Sequence, residues 1–395
     1  MTTVSVDVKA VQPETPWPHA ASSASKDPDQ AAAELALKLK HPDLSFVLFF
    51  CSADYPLKEL GAALNLAFGD VPLAGCTTAG EITPMGYGRG CIVAIGFNSQ
   101  DFAVSCARIE DMECFTLPRA QQLVDGLLAD CRRQAPSRAG RRFVLTLLDG
   151  LSSSEEQVLA ALEAALGGIP NFGGSAGDDN RLTDTHVFAE GGFHRASAVV
   201  LMVATPLPFE VFTTHHLRPR QQKLVVTAVD VEQRRVLELN AMPAAQAYAQ
   251  LVGLSPSQLD ERVFARHPLA VRIGEQHYVR SIQRADEEGG LRFYCAVENG
   301  IVLTAMQAAP MLDELGELLA GLDARLGPPA LILGCDCFLR RMELETEGLV
   351  APASRLLSEA GVVGFNTYGE QHQGMHINQT FTGVAIGAAA RFTGS

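Results

Sequence analysis

Histidines give the sequence its clearest potential for binding a metal. His215 and His216 are adjacent and end a stretch of alternating apolar and polar residues. On a strand their rings would point to opposite faces, so only one of them could face a given pocket. A solvated histidine at a strand end would show the same pattern. His372 and His376 have a spacing that chelates a metal on a helix, but the flanking glycines predict a loop, so we reject a helical chelate there.

Cysteines are the second group that could react or bind a metal. The nine cysteines are an odd number and most lie in apolar runs, which is typical of reduced, cytosolic thiols. Cys335 and Cys337 end a predicted strand with both thiols on one face. The two thiols could bind a soft metal or be oxidised. The alternative is that they are simply buried in the core. No second Cys/His cluster accompanies them in the sequence, so we expect no structural zinc.

Three glycine-bounded bends carry polar groups that could meet on a small polar ligand. They are GCTTAGE (75–81), NFGGSAGDD (171–179) and VVGFNTYGE (362–370). None of them has a phosphate-loop pattern that leads into a helix, so a nucleotide site is not expected. Glycine alone would account for such bends, because it adopts positive φ without strain. The candidate ligand-binding residues are Thr77, Thr78, Ser175, Asp178, Asn366, Thr367 and Glu370.

Nucleophilic catalysis has weaker support. The segment GGSAG (173–177) only loosely matches the nucleophile elbow of serine hydrolases, and two aspartates follow it in place of a helix. Cys76 could act as a thiol nucleophile with His376 as its base, but nothing in the sequence brings the two together. We therefore expect a protein without catalytic activity.

Charge and composition exclude several classes of protein. The chain of 395 residues has 45 acidic and 31 basic side chains and a net charge of −14, which argues against unaided nucleic-acid binding. Its hydrophobic content of 47% is typical of a globular protein. The longest apolar runs, 46–51 and 196–205, are far shorter than the roughly 20 residues that cross a bilayer. We predict a soluble cytoplasmic protein without membrane insertion; the sequence leaves its oligomeric state open.

The elements that must position these residues recur along the chain in the same order. The first repeat has a strand over 45–53, a helix over 56–68, the first bend, and strands over 90–97 and 101–109. The second has a strand over 142–150, a helix from about 152, the second bend, and strands over 197–204 and 208–216. The third has a helix over 311–325, a strand over 330–338, a helix over 353–359, the third bend and a strand over 380–388.

A β-rich insert and a leader complete the predicted organisation. Residues 1–28 are rich in proline and serine and are predicted to be extended or disordered. Strand-like alternation resumes after a polar, proline-interrupted break near 219–223. We therefore predict an N-terminal domain over 29–220 and a C-terminal domain over 221–395. The predicted fold class is α/β, with two related halves whose mixed sheets are flanked by helices.

These motifs, taken in order, resemble the FIST family over residues 45–387. The resemblance rests on the three bends, the Asp149-Gly150 pair, and the segments VTAVDVEQRRVLELNAMPA (226–244) and HINQT (376–380). It implies a sensory module of bacterial signal transduction that binds a small molecule. The sequence departs from the family pattern at His216-Leu217, where a Gly-Trp pair is common, and at Ala241, where a glycine is common.

Within the family, the chain resembles the haem-binding nitric oxide sensors of the NosP type. That resemblance implies haem b as cofactor, nitric oxide as ligand and a sensor histidine kinase as partner. Haem needs an axial donor in an apolar pocket, and the candidates are His215, His216 and His376. His376 also lies in a motif shared by FIST proteins in general. The alternative is a haem-free FIST sensor of a metabolite similar to an amino acid, bound at the three bends.

Overall fold

Repeated strand–helix–strand units build the body of the protein. The computed structural model describes residues 17–134 and 141–388. The elements of the first repeat are β1 (His19–Ser23), α1 (Pro28–Leu39), β2 (Leu44–Ser52), α2 (Leu57–Phe68), β3 (Leu73–Thr78), β4 (Glu81–Thr83), β5 (Gly86–Gly88), β6 (Ile92–Asn98) and β7 (Ala103–Ile109). Those of the second are α3 (Leu117–Gln134), β8 (Arg141–Leu148), α4 (Glu155–Leu166), β9 (Asn171–Ser175), β10 (Val187–Ala189), β11 (Gly192–His194), β12 (Ala198–Thr205) and β13 (Phe209–Thr214).

The insert and the third repeat follow. The insert contains β14 (Leu217–Asp230), β15 (Arg235–Leu239), β16 (Met242–Pro243), α5 (Ala244–Val252), a 3-10 turn (Pro256–Gln258), α6 (Glu261–Arg266), β17 (Leu269–Ile273), β18 (Gln276–Arg280), β19 (Ile282–Ala285), β20 (Leu291–Phe293) and β21 (Val302–Ala308). The third repeat contains α7 (Met311–Leu326), β22 (Pro329–Cys337), α8 (Phe338–Glu347), α9 (Val350–Glu359), β23 (Val362–Thr367), β24 (Glu370–His372), β25 (Met375–Ile377) and β26 (Phe381–Gly387). Helix α8 was not predicted.

Three sheets have the same strand order. They run β1-β6-β2-β3-β10-β11, β7-β12-β8-β9-β24-β25 and β13-β26-β22-β23-β4-β5. In each, the central pair is parallel and its other neighbours are antiparallel. The predicted α/β class with mixed sheets flanked by helices is confirmed. The pairing corrects the predicted repeats, because β7 lies in the sheet of the second repeat and β13 in that of the third. The pairing of the hairpins was not predicted either: each repeat sends its hairpin into the sheet of another repeat, in a cyclic order.

The strands are buried on both faces. Phe46, Leu48 and Phe50 of β2 face a core shared by all three sheets, where the Phe50 ring stacks on Phe365 at 4.3 Å between centroids. The alternate residues Val47 and Phe49 face a second core under α1 and α2. This explains why β2 is a continuous apolar run rather than an alternating one.

Part of the predicted leader is an ordered strand. The extended segment β1 pairs with β6, with Ser23 opposite Ile92. Asp27 then caps α1 by accepting a hydrogen bond from Gln30 N at 2.8 Å. The first sixteen residues of that leader lie outside the described part of the chain.

The insert forms its own sheet, ordered β18-β17-β21-β14-β15-β20-β19, with β16 on β15. The polar segment that we expected to mark a domain boundary lies inside β14. A bulge between Pro219 and Lys223 accommodates it, because the bulged residues need no partner on β21. Among the described helices, none combines the length and apolarity that a membrane crossing requires.

Candidate functional site

The three bends meet through equivalent backbone hydrogen bonds. Ala79 N donates to Asn366 O at 2.9 Å, Gly177 N to Thr77 O at 3.0 Å, and Tyr368 N to Ser175 O at 3.2 Å. Thr77, Ser175 and Asn366 therefore hold equivalent places in the three repeats. The structure brings the three bends together.

Within the first bend, and likewise within the third, a threonine side chain hydrogen-bonds to a glutamate of the same bend. Thr78 Oγ1 donates to Glu81 at 2.5 Å, and Thr367 Oγ1 donates to Glu370. Glu370 also accepts from the backbone N (3.0 Å) and Oγ1 (2.9 Å) of Thr380. Thr78, Thr367 and Glu370 are all fully buried. These groups close the bends instead of presenting open positions to a ligand.

The remaining bend residues are also engaged. Asp178 accepts from the backbone N of Leu182 (2.9 Å), Thr183 (2.8 Å) and Asp184 (2.8 Å), and from the Tyr368 hydroxyl. It therefore folds the loop that follows β9.

The side-chain oxygens of Asn366 and Thr77 also accept hydrogen bonds from neighbouring protein groups. Arg341 Nη1 donates to Asn366 Oδ1 at 2.9 Å, and the backbone N of His186 donates to Thr77 Oγ1 at 3.0 Å. Both residues are fully buried. Like Asp178, they act within the fold rather than at an open surface.

A charged cluster lies next to the second bend. We define it as Glu155 and Glu156 at the start of α4, Arg234 of the insert and His376 of β25. Arg234 donates to Glu155 Oε2 at 3.2 Å and to Glu156 Oε2 at 2.6 Å, and His376 Nδ1 lies 3.0 Å from Glu156 Oε1. Ser175 Oγ donates to Glu155, which joins the bend to this cluster.

Opposite charges stabilise one another inside the charged cluster. Burial opposes the charge of Glu156, yet His376 and Arg234 hold its pKa well below its usual range. Burial likewise opposes protonation of His376, yet Glu155 and Glu156 raise its pKa. The two carboxylates and the imidazole are close enough, within 4.8 Å, to hold a metal ion. Arg234 occupies the same carboxylates, so the protein supplies their positive charge itself.

An open cleft of about 280 Å³ separates the second repeat from the insert, and Arg234 lines it. It lies beyond the carboxyl end of β8, the edge of a parallel pair where ligands commonly bind in α/β folds. Arg292 also lines it, and its Nη2 donates to Gln233 Oε1 at 3.3 Å. We call this the repeat–insert cleft; its lining residues are Gly150, Leu151, Ser152, Ser153, Leu182, Glu232, Gln233, Arg234, Gln283, Arg292, Phe293 and Tyr294.

His216 has no free ring nitrogen, and His215 uses one of its two ring nitrogens. His216 is fully buried, with Nε2 3.0 Å from Glu343 Oε2 and Nδ1 3.0 Å from Arg340 Nη1. Both of its ring nitrogens are therefore occupied. His215 is half-buried, and its Nδ1 accepts from Leu217 N at 3.3 Å.

His376 has a free nitrogen but no space beside it. Its Nε2 is buried without a hydrogen-bond partner. A Cβ placed on Gly369 would lie 1.9 Å from this atom, so the imidazole is packed against the Gly369 backbone. An iron atom could not approach there without a rearrangement. His216 and His376, two of the three histidines that we expected to bind haem, therefore do not fit that group in this structure.

The nucleophile candidates are buried too. Cys76 is fully buried, and burial raises the pKa of its thiol far above the usual range. Ser175 is fully buried and donates its hydroxyl to Glu155. Cys335 and Cys337 are free, buried thiols whose pKa is also raised, chiefly by burial.

Sequence reasoning missed the charged cluster. The run SSSEE (152–156) was interpreted only as a helix start, and Arg234 is distant from it in the chain. Paired acids at a helix start were the available signal, but no spacing linked them to an arginine in another unit.

Comparison with known proteins identifies the family. The FIST N domain matches residues 45–242 and the FIST C domain matches residues 244–373. The chain therefore belongs to the FIST family, whose domains are sensory domains for small-molecule signalling. These matches meet near residue 243, inside the insert.

Other comparisons are remote. No functionally curated protein matches the sequence closely. A crystal structure of cyanuric acid hydrolase from A. caulinodans is 12% identical with a TM-score of 0.25. The match covers 45% of this chain and 64% of that chain.

Proposed function

We propose that this protein is a non-catalytic cytoplasmic sensor that binds a small polar metabolite, such as an amino acid, in the repeat–insert cleft without haem. The observation that carries the proposal is the position of the cleft, which is lined by Ser152 and Ser153 of the second repeat and by Arg292 of the insert. A ligand there contacts both units, so it can favour one arrangement of them over another.

The lining of the cleft suits a zwitterion. The guanidinium of Arg292 can hold a carboxylate through two parallel hydrogen bonds. The exposed Glu232 offers a negative charge to an ammonium group. The volume of about 280 Å³ lies below the roughly 300–1,000 Å³ of sites for drug-sized ligands, which favours a smaller metabolite.

The output is proposed from the family resemblance. A partner sensor histidine kinase would recognise the arrangement that the ligand favours. Kinase autophosphorylation in the presence of ligand-bound and ligand-free protein tests this step. Equal autophosphorylation in both cases would contradict it.

A thermal-shift screen tests the ligand site. The full-length protein is heated with each of the common amino acids and with small dicarboxylates. A ligand that binds only the folded state raises the free energy of unfolding, by roughly 2.7 kcal/mol at a hundredfold excess over Kd. The Tm rises with it. The shift should disappear in Arg292→Ala and persist in Arg272→Ala, which removes an exposed arginine outside the cleft. An equal shift in Arg292→Ala would overturn the proposed site.

The haem-based nitric oxide sensor remains the competing proposal, and a separate titration distinguishes it. Purified protein is titrated with haem, in parallel with His215→Ala, His216→Ala and His376→Ala. Our proposal predicts weak, unsaturable spectral change that is equal in all four proteins. A saturable Soret band at one equivalent, lost in one variant, would favour the haem sensor instead.

A further inference from the structure

Arg234 belongs to two environments at once. Its guanidinium donates to the carboxylates of Glu155 and Glu156, and the same residue lines the repeat–insert cleft. The Arg234 side chain is 13% exposed, whereas that of Glu155 is 2% exposed. Arg234 therefore lies between the solvent of the cleft and the buried Glu155, whereas the Glu156 side chain is itself 30% exposed.

The two carboxylates connect three other parts of the protein. Glu155 accepts from Ser175 at the end of β9. Glu156 accepts from Ala296 N of the insert at 2.8 Å and contacts His376 of β25. Any change in the partner of Arg234 therefore reaches a bend, the insert and an exchanged hairpin.

We propose that a carboxylate bound in the cleft draws Arg234 away from Glu155 and Glu156, so that occupancy of the cleft is transmitted to His376. The exchange replaces one ion pair by another of the same chemistry, with no covalent change. It rests on the proposed function, because it requires an anion in the cleft.

The groups that face His376 make this exchange measurable. Burial lowers the pKa of His376, Glu155 and Glu156 raise it, and Arg234 lowers it. Arg280 of β18 donates to the His376 carbonyl at 3.3 Å, and it lies outside the cleft lining. Departure of Arg234 removes a positive charge from this set, so the pKa of His376 must rise.

Histidine-labelled full-length protein allows the pKa of His376 to be followed by NMR, with its signal assigned by loss in His376→Gln. The probes are sodium acetate, its neutral analogue acetamide, and sodium chloride at equal ionic strength. Acetate should raise the pKa of His376 by at least about half a unit, since a nearby charge changes a pKa by about one unit or more. Acetamide and chloride should leave it unchanged.

Two variants test the role of Arg234. In Arg234→Gln the pKa of His376 should already be raised, and acetate should not raise it further. In Arg234→Lys, which retains the charge without the planar fork, the acetate response should be smaller than in the wild type. An equal acetate response in the wild type and in Arg234→Gln would overturn the exchange.

The amide signals of Ser153 and Arg292 separate the two possible failures. If acetate moves these signals and leaves the pKa of His376 unchanged, the exchange is wrong and the ligand site stands. If acetate moves neither, the cleft does not accept a carboxylate, and both the exchange and the carboxylate-binding site are wrong.

Discussion

Glu81 and Glu370 hold the same place in two different repeats. Each begins an exchanged hairpin and follows a threonine by three residues, and each accepts that threonine's hydroxyl. Each also accepts a backbone N–H from the start of its own repeat's next long strand, Cys91 N at 3.2 Å and Thr380 N at 3.0 Å. The two carboxylates therefore hold in place the hairpins that pair with the sheet of another repeat.

Glu370 should make stability depend on pH. Burial raises its pKa to about 7, so the folded protein retains a proton that the unfolded chain loses near pH 4.5. The stabilisation from this proton is complete below pH 4.5 and is lost as the pH rises through 7. Urea unfolding at pH 5 and pH 8 should show a smaller difference in Glu370→Gln than in the wild type, by about 1.4 kcal/mol per unit of pKa shift.

A matched control for this experiment is Glu59→Gln, on the exposed face of α2. This variant should show the same difference in the free energy of unfolding between pH 5 and pH 8 as the wild type. The assignment to Glu370 would be wrong if Glu370→Gln retained the full difference between pH 5 and pH 8.

Arg234→Ala should destabilise the protein by about 3 kcal/mol. The substitution removes the nearest cation of the buried Glu155 and leaves Glu156, which is 30% exposed, paired with His376 alone. A buried carboxylate that loses its partner is costly. Arg272→Ala, which breaks the exposed pair with Glu275, should cost less than about 1 kcal/mol. Equal midpoints of urea unfolding in the two variants would contradict the importance of the charged cluster.

Gly369→Ala should displace the imidazole of His376. The new Cβ would lie 1.9 Å from His376 Nε2, and forcing a methyl group into packed space costs about 1–3 kcal/mol. Gly316→Ala is the control, because its Cβ would meet nothing within 4 Å in α7. That helical change should stabilise the protein by about 0.5–1 kcal/mol. Denaturant unfolding should show a lower free energy of unfolding in Gly369→Ala and a higher one in Gly316→Ala than in the wild type.

Thiol labelling should be selective for Cys114. It is exposed, Cys106 is intermediate, and the other seven cysteines are buried. A thiol reagent should modify Cys114 first in the native protein, and Cys114→Ser should abolish that fast phase. A fast phase that survived the substitution would contradict this prediction, and it would show that another thiol, such as the partly exposed Cys106, reacts as fast as Cys114.

Local patterns made part of this structure predictable. The continuous apolar run of β2 and the three bends are visible in the sequence, because burial and turn chemistry depend on neighbouring residues. The Gly, Thr, Gly and Glu shared by 75–81 and 364–370 correspond to equivalent residues in the fold.

Long-range pairing was not predictable in the same way. A hairpin such as β4–β5 could pair with any sheet edge of suitable register. Its sequence therefore does not predict that β23 is its partner. His216 looked like a free strand-end histidine because Arg340 and Glu343 follow it by more than 120 residues. Single-sequence reasoning has no signal for such partners.

The most direct test of the ligand site is hydrogen–deuterium exchange with the amino acid or dicarboxylate that gives the largest thermal shift. The account predicts protection in 150–153, 232–234 and 292–294, which line the repeat–insert cleft. It predicts no comparable change in the buried bends at 75–81 and 364–370. Protection confined to those bends, with the cleft segments unchanged, would contradict it.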